Sequence, residues 1–112
     1  MPPEVRIEHR YPEALAFLRQ HGAEALVILD DLLAHAEPRG NQLVVQASVR
    51  EIAGRLSFLS KDTVHRRLRQ LLRAHVIGAV STKPASPFER PTYVLDLTDT
   101  GISVLSARPR SA

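Results

Sequence analysis

The chain has 112 residues, 44% of them hydrophobic and 24% charged, which predicts a single soluble globular domain with a modest core. It contains no cysteine, so a disulfide framework and a zinc–thiolate site are excluded. No apolar run approaches the roughly 18 residues a membrane span needs, and the acidic, proline-containing start does not read as a signal peptide, so a cytoplasmic, prokaryotic setting without membrane contact is expected.

In chain order, residues 1–10 read as a loosely docked tail. Pro12 suits the first turn of a short helix, Pro12–Gln20, with Ala14, Leu15, Phe17 and Leu18 on its apolar side and Gly22 ending it. A second helix is expected over Ala23–Glu37. Leu26, Leu29, Leu32, Leu33 and Ala36 recur at helical spacing, and Val27 and Ile28 broaden the face toward burial on two sides, one of them available to a partner chain. Pro38-Arg39-Gly40-Asn41 is a turn, and the β-branched run Leu43–Ala47 is a strand.

Residues 48–73 carry the strongest signals. Ser48 and Glu51 fit the S-x-x-E capping box at the start of a helix that buries Ile52, Ala53 and Leu56. Small Ala53 and Gly54 would let another helix approach closely. Ser57–Phe58–Leu59 is too short for anything but a sharp turn. Ser60 is a good N-cap for the next helix, and Asp62 suits the dipole of its first turn. Val64, Leu68, Leu71 and Leu72 then form one aliphatic face. The opposite face carries Asp62, Thr63, Arg66, Arg69, Gln70 and Arg73, flanked by Lys61, His65 and Arg67.

Beyond that helix, Ile77–Thr82 and Thr92–Leu97 read as two strands. The loop Lys83–Pro91 between them is stiffened by Pro84, Pro87 and Pro91. Thr98 could cap a final helix over Asp99–Ala107 with Ile102, Val104 and Leu105 as apolar residues, and Arg108–Ala112 is a basic tail.

The helix–turn–helix stretch, read from Ile52-Ala53 and Leu56, Ser60–Val64, Arg66–Leu68, Leu71-Leu72 and Val76-Ile77, resembles a winged helix-turn-helix. The run Leu97-Thr98-Asp99-Thr100-Gly101 resembles the L-T-x-x-G that often follows the wing in MarR-like and PadR-like regulators. About half the chain is covered. Ser57 stands where the turn of such proteins usually has glycine, and His75 where glycine often ends the recognition helix. The resemblance implies a mainly α fold with a small β-hairpin wing (α+β), in the order helix-helix-strand-helix-helix-strand-strand plus a short C-terminal helix that often serves dimerisation. It also implies sequence-specific binding of double-stranded DNA by a homodimeric transcriptional regulator.

Charge distribution agrees with a nucleic-acid partner. The formal net charge is only +3, but residues 48–91 hold nine Lys/Arg against three acids, and the rest of the chain holds six against nine. Lys61, Asp62, His65 and Arg66 stand nearest the base edges if the second helix enters a major groove N-terminus first. Ser48, Arg55, Ser60, Thr63 and Arg69 are candidates for phosphates, and Lys83, Ser86 and Arg90 for the backbone or a minor groove. Two other readings use the same residues: an accessory protein of a plasmid or mobile element in replication, partition or excision, and a module that binds protein or RNA. Catalysis is not expected. His9, His21, His35, His65 and His75 lack metal-ligand spacing, Asp30 and Asp31 diverge by about 100° on a helix, and no glycine-rich phosphate loop is present. No cofactor is expected, and a small-molecule effector between Tyr11, Phe17 and the second helix is demanded by nothing.

Overall fold

The computed structural model describes residues 4–80 and 90–108. Its elements are β1 (Glu4–His9), α1 (Glu13–His21), α2 (Ala23–Ala34), β2 (Glu37–Arg39), β3 (Gln42–Gln46), α3 (Val49–Arg55), α4 (Lys61–Arg73), β4 (Ile77–Ala79), β5 (Thr92–Leu95) and β6 (Ile102–Arg108).

Helix α2 is the centre. Gly22, at φ 90°, breaks the chain between α1 and α2 in a conformation other residues adopt only under strain. Ala25, Ile28, Leu29, Leu32 and Leu33 are almost wholly buried and lie on one arc of roughly 140°, which α2 turns into the core. Each buried Leu or Ile contributes about 1.5–3 kcal/mol of transfer free energy. Phe17 of α1, Ile52 of α3, Val64, Leu68 and Leu71 of α4, and Tyr93 and Leu95 of β5 join the same core.

Two antiparallel sheets flank the helices. One has the order β2-β3-β5-β4, with Leu43 opposite Leu95 and Ile77 opposite the same residue from the other side. The other is the pair β1-β6, which joins the two ends of the described chain, with Val5 opposite Ala107 and His9 opposite Ile102.

These sheets correct the expected fold class. Among the described residues the chain is a mixed α+β structure of four helices and six strands, not a mainly α domain with a small wing and a C-terminal helix. Residues 4–9 form a strand because Val5 and Ile7 alternate with charged neighbours, and these two pack on the core. Residues 102–108 form its partner instead of the helix expected over 99–107. Asp99 (φ 63°) and Gly101 (φ 76°) reverse the chain where a helix would begin. Thr98 is no cap. Its N–H instead donates to the Asp96 carboxylate at 3.0 Å, holding that carboxyl below its usual range. Buried Thr100 donates to the Leu97 carbonyl and accepts from the Ile102 N–H, closing the turn. Gly101 lies so close to the start of α1 that a Cβ there would be 2.1 Å from the Ala14 nitrogen.

The remaining differences are local. Helix α2 ends at Ala34 rather than Glu37, and Pro38 lies in the edge strand β2, where its missing N–H breaks no ladder. The strand before α3 is Gln42–Gln46 rather than 43–47, and the pair expected at 77–82 and 92–97 is 77–79 and 92–95. Residues 81–89, with Lys83 and Ser86, lie outside the described residues, as do 1–3 and 109–112.

Candidate nucleic-acid interface

The two helices of the 48–73 stretch are held by local caps. Ser48 Oγ accepts from the Glu51 N–H and Glu51 Oε1 accepts from the Ser48 N–H, each at 3.1 Å, completing the capping box. Burial acts to raise the Glu51 carboxyl, but the Ser48 N–H and the Arg90 guanidinium outweigh it and hold it below the usual range. After Leu56 the chain turns at Ser57, φ 24°, and the Phe58 N–H reaches back to the Leu56 carbonyl. Leu59 is buried beneath the turn and Phe58 stands 68% exposed. Ser60 caps α4, accepting from the Thr63 N–H at 3.1 Å and donating to its hydroxyl at 3.0 Å. At its far end His75 takes the left-handed conformation (φ 60°) in place of glycine.

Helix α4 buries Val64, Leu68 and Leu71. Lys61, Asp62, His65, Arg66, Arg69 and Arg73 are exposed; at about 100° per residue His65, Arg69, Asp62, Arg73 and Arg66 share one arc of roughly 100°, and Lys61, in the first turn, stands across half-buried Leu72 from it. Three arginines and one carboxylate lie on that arc, with Lys61 beside it. Lys61, Arg69 and Arg73 make no ion pair among the described residues, and Arg66 makes only a 3.4 Å bond to Thr63 Oγ1. Arg73 was not among the candidate contacts. Its place on the arc follows from the spacing Asp62, Arg66, Arg69, Arg73.

Other candidates are occupied. Arg55 lies against Asp31 of α2 through three contacts of 2.8–3.1 Å. Arg90 donates to Glu51 Oε1 at 2.6 Å and to the Gln46 carbonyl at 3.0 Å, fastening the start of β5 to β3 and α3. Arg67 bonds Glu24 and Gln70, and Gln70 donates to the His21 carbonyl, so this flank of α4 is tied to α1 and α2. Ser48, Ser60 and Thr63 have hydroxyls engaged in capping.

The groove beside Tyr11 holds about 220 Å³ and is lined by Leu15, Leu18 and Leu26, with the His9–Asp30 pair at one side. Phe17 is buried in the core and does not line it. Burial holds the Asp30 carboxyl above its usual range, although His9 pulls against it. Among the described residues no group of three or more His, Cys, Asp or Glu could hold a metal ion, and no helix is long and apolar enough to cross a membrane. Comparison with family models, curated proteins and solved structures gives no match to this chain.

Proposed function

We propose that the chain binds double-stranded DNA through α4 and acts as a homodimeric, cytoplasmic transcriptional regulator. One observation carries the reading: α4 presents an exposed arc bearing Arg66, Arg69 and Arg73, with Lys61 exposed in its first turn, while its other flanks are buried or tied to the body. An α-helix fits the major groove, and Ser60 caps the end that would enter it. Arg66, His65, Lys61 and Asp62 face the base edges in this arrangement, and Arg69 and Arg73 meet phosphates along the groove wall.

The test is selection of bound duplexes from a random-sequence pool at physiological salt, followed by sequencing. The expected result is enrichment of an inverted repeat with half-sites about one helical turn apart, bound about 10³-fold or more above random duplex. Enrichment of a repeated array points to a mobile-element accessory role instead. Recovery of unselected sequence, or no duplex affinity, refutes the specific-regulator reading.

A further inference from the structure

We infer that β1 is the interface through which two copies of this chain associate, pairing antiparallel about Ile7 to continue the β1-β6 sheet across a two-fold axis. The inference names the surface of the dimer invoked above, and it stands without the DNA reading because nothing in it involves α4.

Strand β1 has one edge to offer. It pairs with β6 along one side, and no backbone hydrogen bond from another described residue reaches the strand along the other. A two-stranded sheet is marginal alone, and an open edge is a template for a further strand. The irregularity in this pair falls on β6, where Leu105 is the extra residue between the partners of Arg6 and Ile7, so β1 itself is regular.

The side chains select what can pair there. Val5 and Ile7 pack on the chain's own core and His9 reaches Asp30 of α2 at 3.2 Å, so this face is committed. Arg6 and Glu8 lie exposed on the other face. They stand opposite Ser106 and Ser103 and have no charged partner among the described residues. The sequence EVRIEHR is antisymmetric in charge about Ile7: Arg6 and Glu8 flank it, and Glu4 and Arg10 stand three positions out. In an antiparallel pair centred on Ile7, Arg6 of each copy therefore meets Glu8 of the other, and position 4 meets position 10. One two-fold axis satisfies every pair at once, which is the property of an isologous interface. A strand with unrelated charges would leave like charges opposed.

A second feature lies at the end of the same strand. The groove between His9, Tyr11, Leu15, Leu18 and Leu26 is open and mostly apolar, and Tyr11 is 76% exposed beside it. The register brings Val5 of the second copy opposite His9, at the mouth of this groove. Pairing of the strands thus also covers apolar surface that the single chain leaves wet.

The experiment is sedimentation equilibrium of the full chain, without DNA, through the micromolar range. Wild type is expected at twice the chain mass. Arg6→Glu alone opposes glutamates and Glu8→Arg alone opposes arginines, and each should weaken association by roughly tenfold or more, two attractions becoming repulsions. An equal mixture of the two single variants should form a heterodimer, and the double variant R6E/E8R, which keeps composition and net charge, should dimerise like wild type. A wild-type monomer at all concentrations overturns the inference, as do single variants that dimerise undiminished or a double variant that stays monomeric while folded by circular dichroism. None of these outcomes touches duplex binding by α4, so either reading can fail alone.

Discussion

Replacing Arg55 by alanine separates a structural arginine from a phosphate-binding one. Its guanidinium makes contacts of 2.8–3.1 Å to both oxygens of Asp31, whose side chain is only 8% exposed, while that of Arg55 is 28% exposed. Removing one partner of a fully buried ion pair costs about 3–5 kcal/mol, because the other charge is left without solvent or counterion. Here water can enter through the space Arg55 vacates, and His35 Nδ1 already lies 3.9 Å from the Asp31 carboxylate. The expected loss is therefore lower, about 2–3 kcal/mol. For a domain near this length that lowers Tm by roughly 8–20 °C. Urea denaturation followed by circular dichroism measures it directly, with the slope unchanged if only the native contact is lost. Removing Asp31 and Arg55 together should cost less than the sum of the single losses, since no unpaired charge remains. At a temperature where the variant is folded, the salt dependence of duplex binding should match wild type, because this charge is already spent on Asp31. A variant within about 0.5 kcal/mol of wild-type stability, with the salt slope reduced by about one, would refute the argument and return Arg55 to the phosphate contacts.

Arg66→Ala should cost about 1–3 kcal/mol on a selected duplex and relax preference at one base position, and an unchanged binding isotherm removes Arg66 from base readout. The lowered carboxyl of Glu51 favours the native state at pH values above the ordinary carboxylate range, and that contribution disappears as pH falls through the native value. Glu51→Gln should therefore flatten the acid limb of stability against pH, and an identical acid limb would show that the Ser48 and Arg90 bonds do not set it. Gly101→Ala, placing a Cβ 2.1 Å from the Ala14 nitrogen at φ 76°, should destabilise by about 2 kcal/mol or more in chemical denaturation, whereas a wild-type midpoint would mean that the turn does not pack tightly on α1.

The parts of the fold that were legible in the sequence are those decided by near neighbours. The box between Ser48 and Glu51 and the cap at Ser60 act within three residues, and both helices start where those residues place them. Among the described residues, strands β1 and β6 pair with each other alone and lie far apart in the chain, so neither segment carries its partner nearby. Residues 102–108 also fit either period, since Ile102 with Leu105 suits a helix and Ile102 with Val104 suits a strand. The left-handed backbone at Asp99 and Gly101 and the packing of that turn on α1 decide between them.

The candidate site divides the same way. Periodicity gave the exposed face of α4, and so made Arg66 and Arg69 visible as candidates. It could not say which arginines around that face were already paired, because those pairs are long-range: Asp31 lies 24 residues from Arg55, Glu24 lies 43 from Arg67, and Glu51 lies 39 from Arg90. The excess of positive charge over residues 48–91 therefore overstates what a polyanion would meet, since among the described residues Arg55, Arg67 and Arg90 are held by carboxylates, two of which lie on α2. What remains on α4 is Lys61, Arg66, Arg69 and Arg73. If each displaced one counterion, α4 would contribute a salt slope of about −3.6 per chain. A weaker dependence would mean that some of these four point at bases or at solvent, so the slope measures how much of the arc is a phosphate grip and how much is free to read sequence.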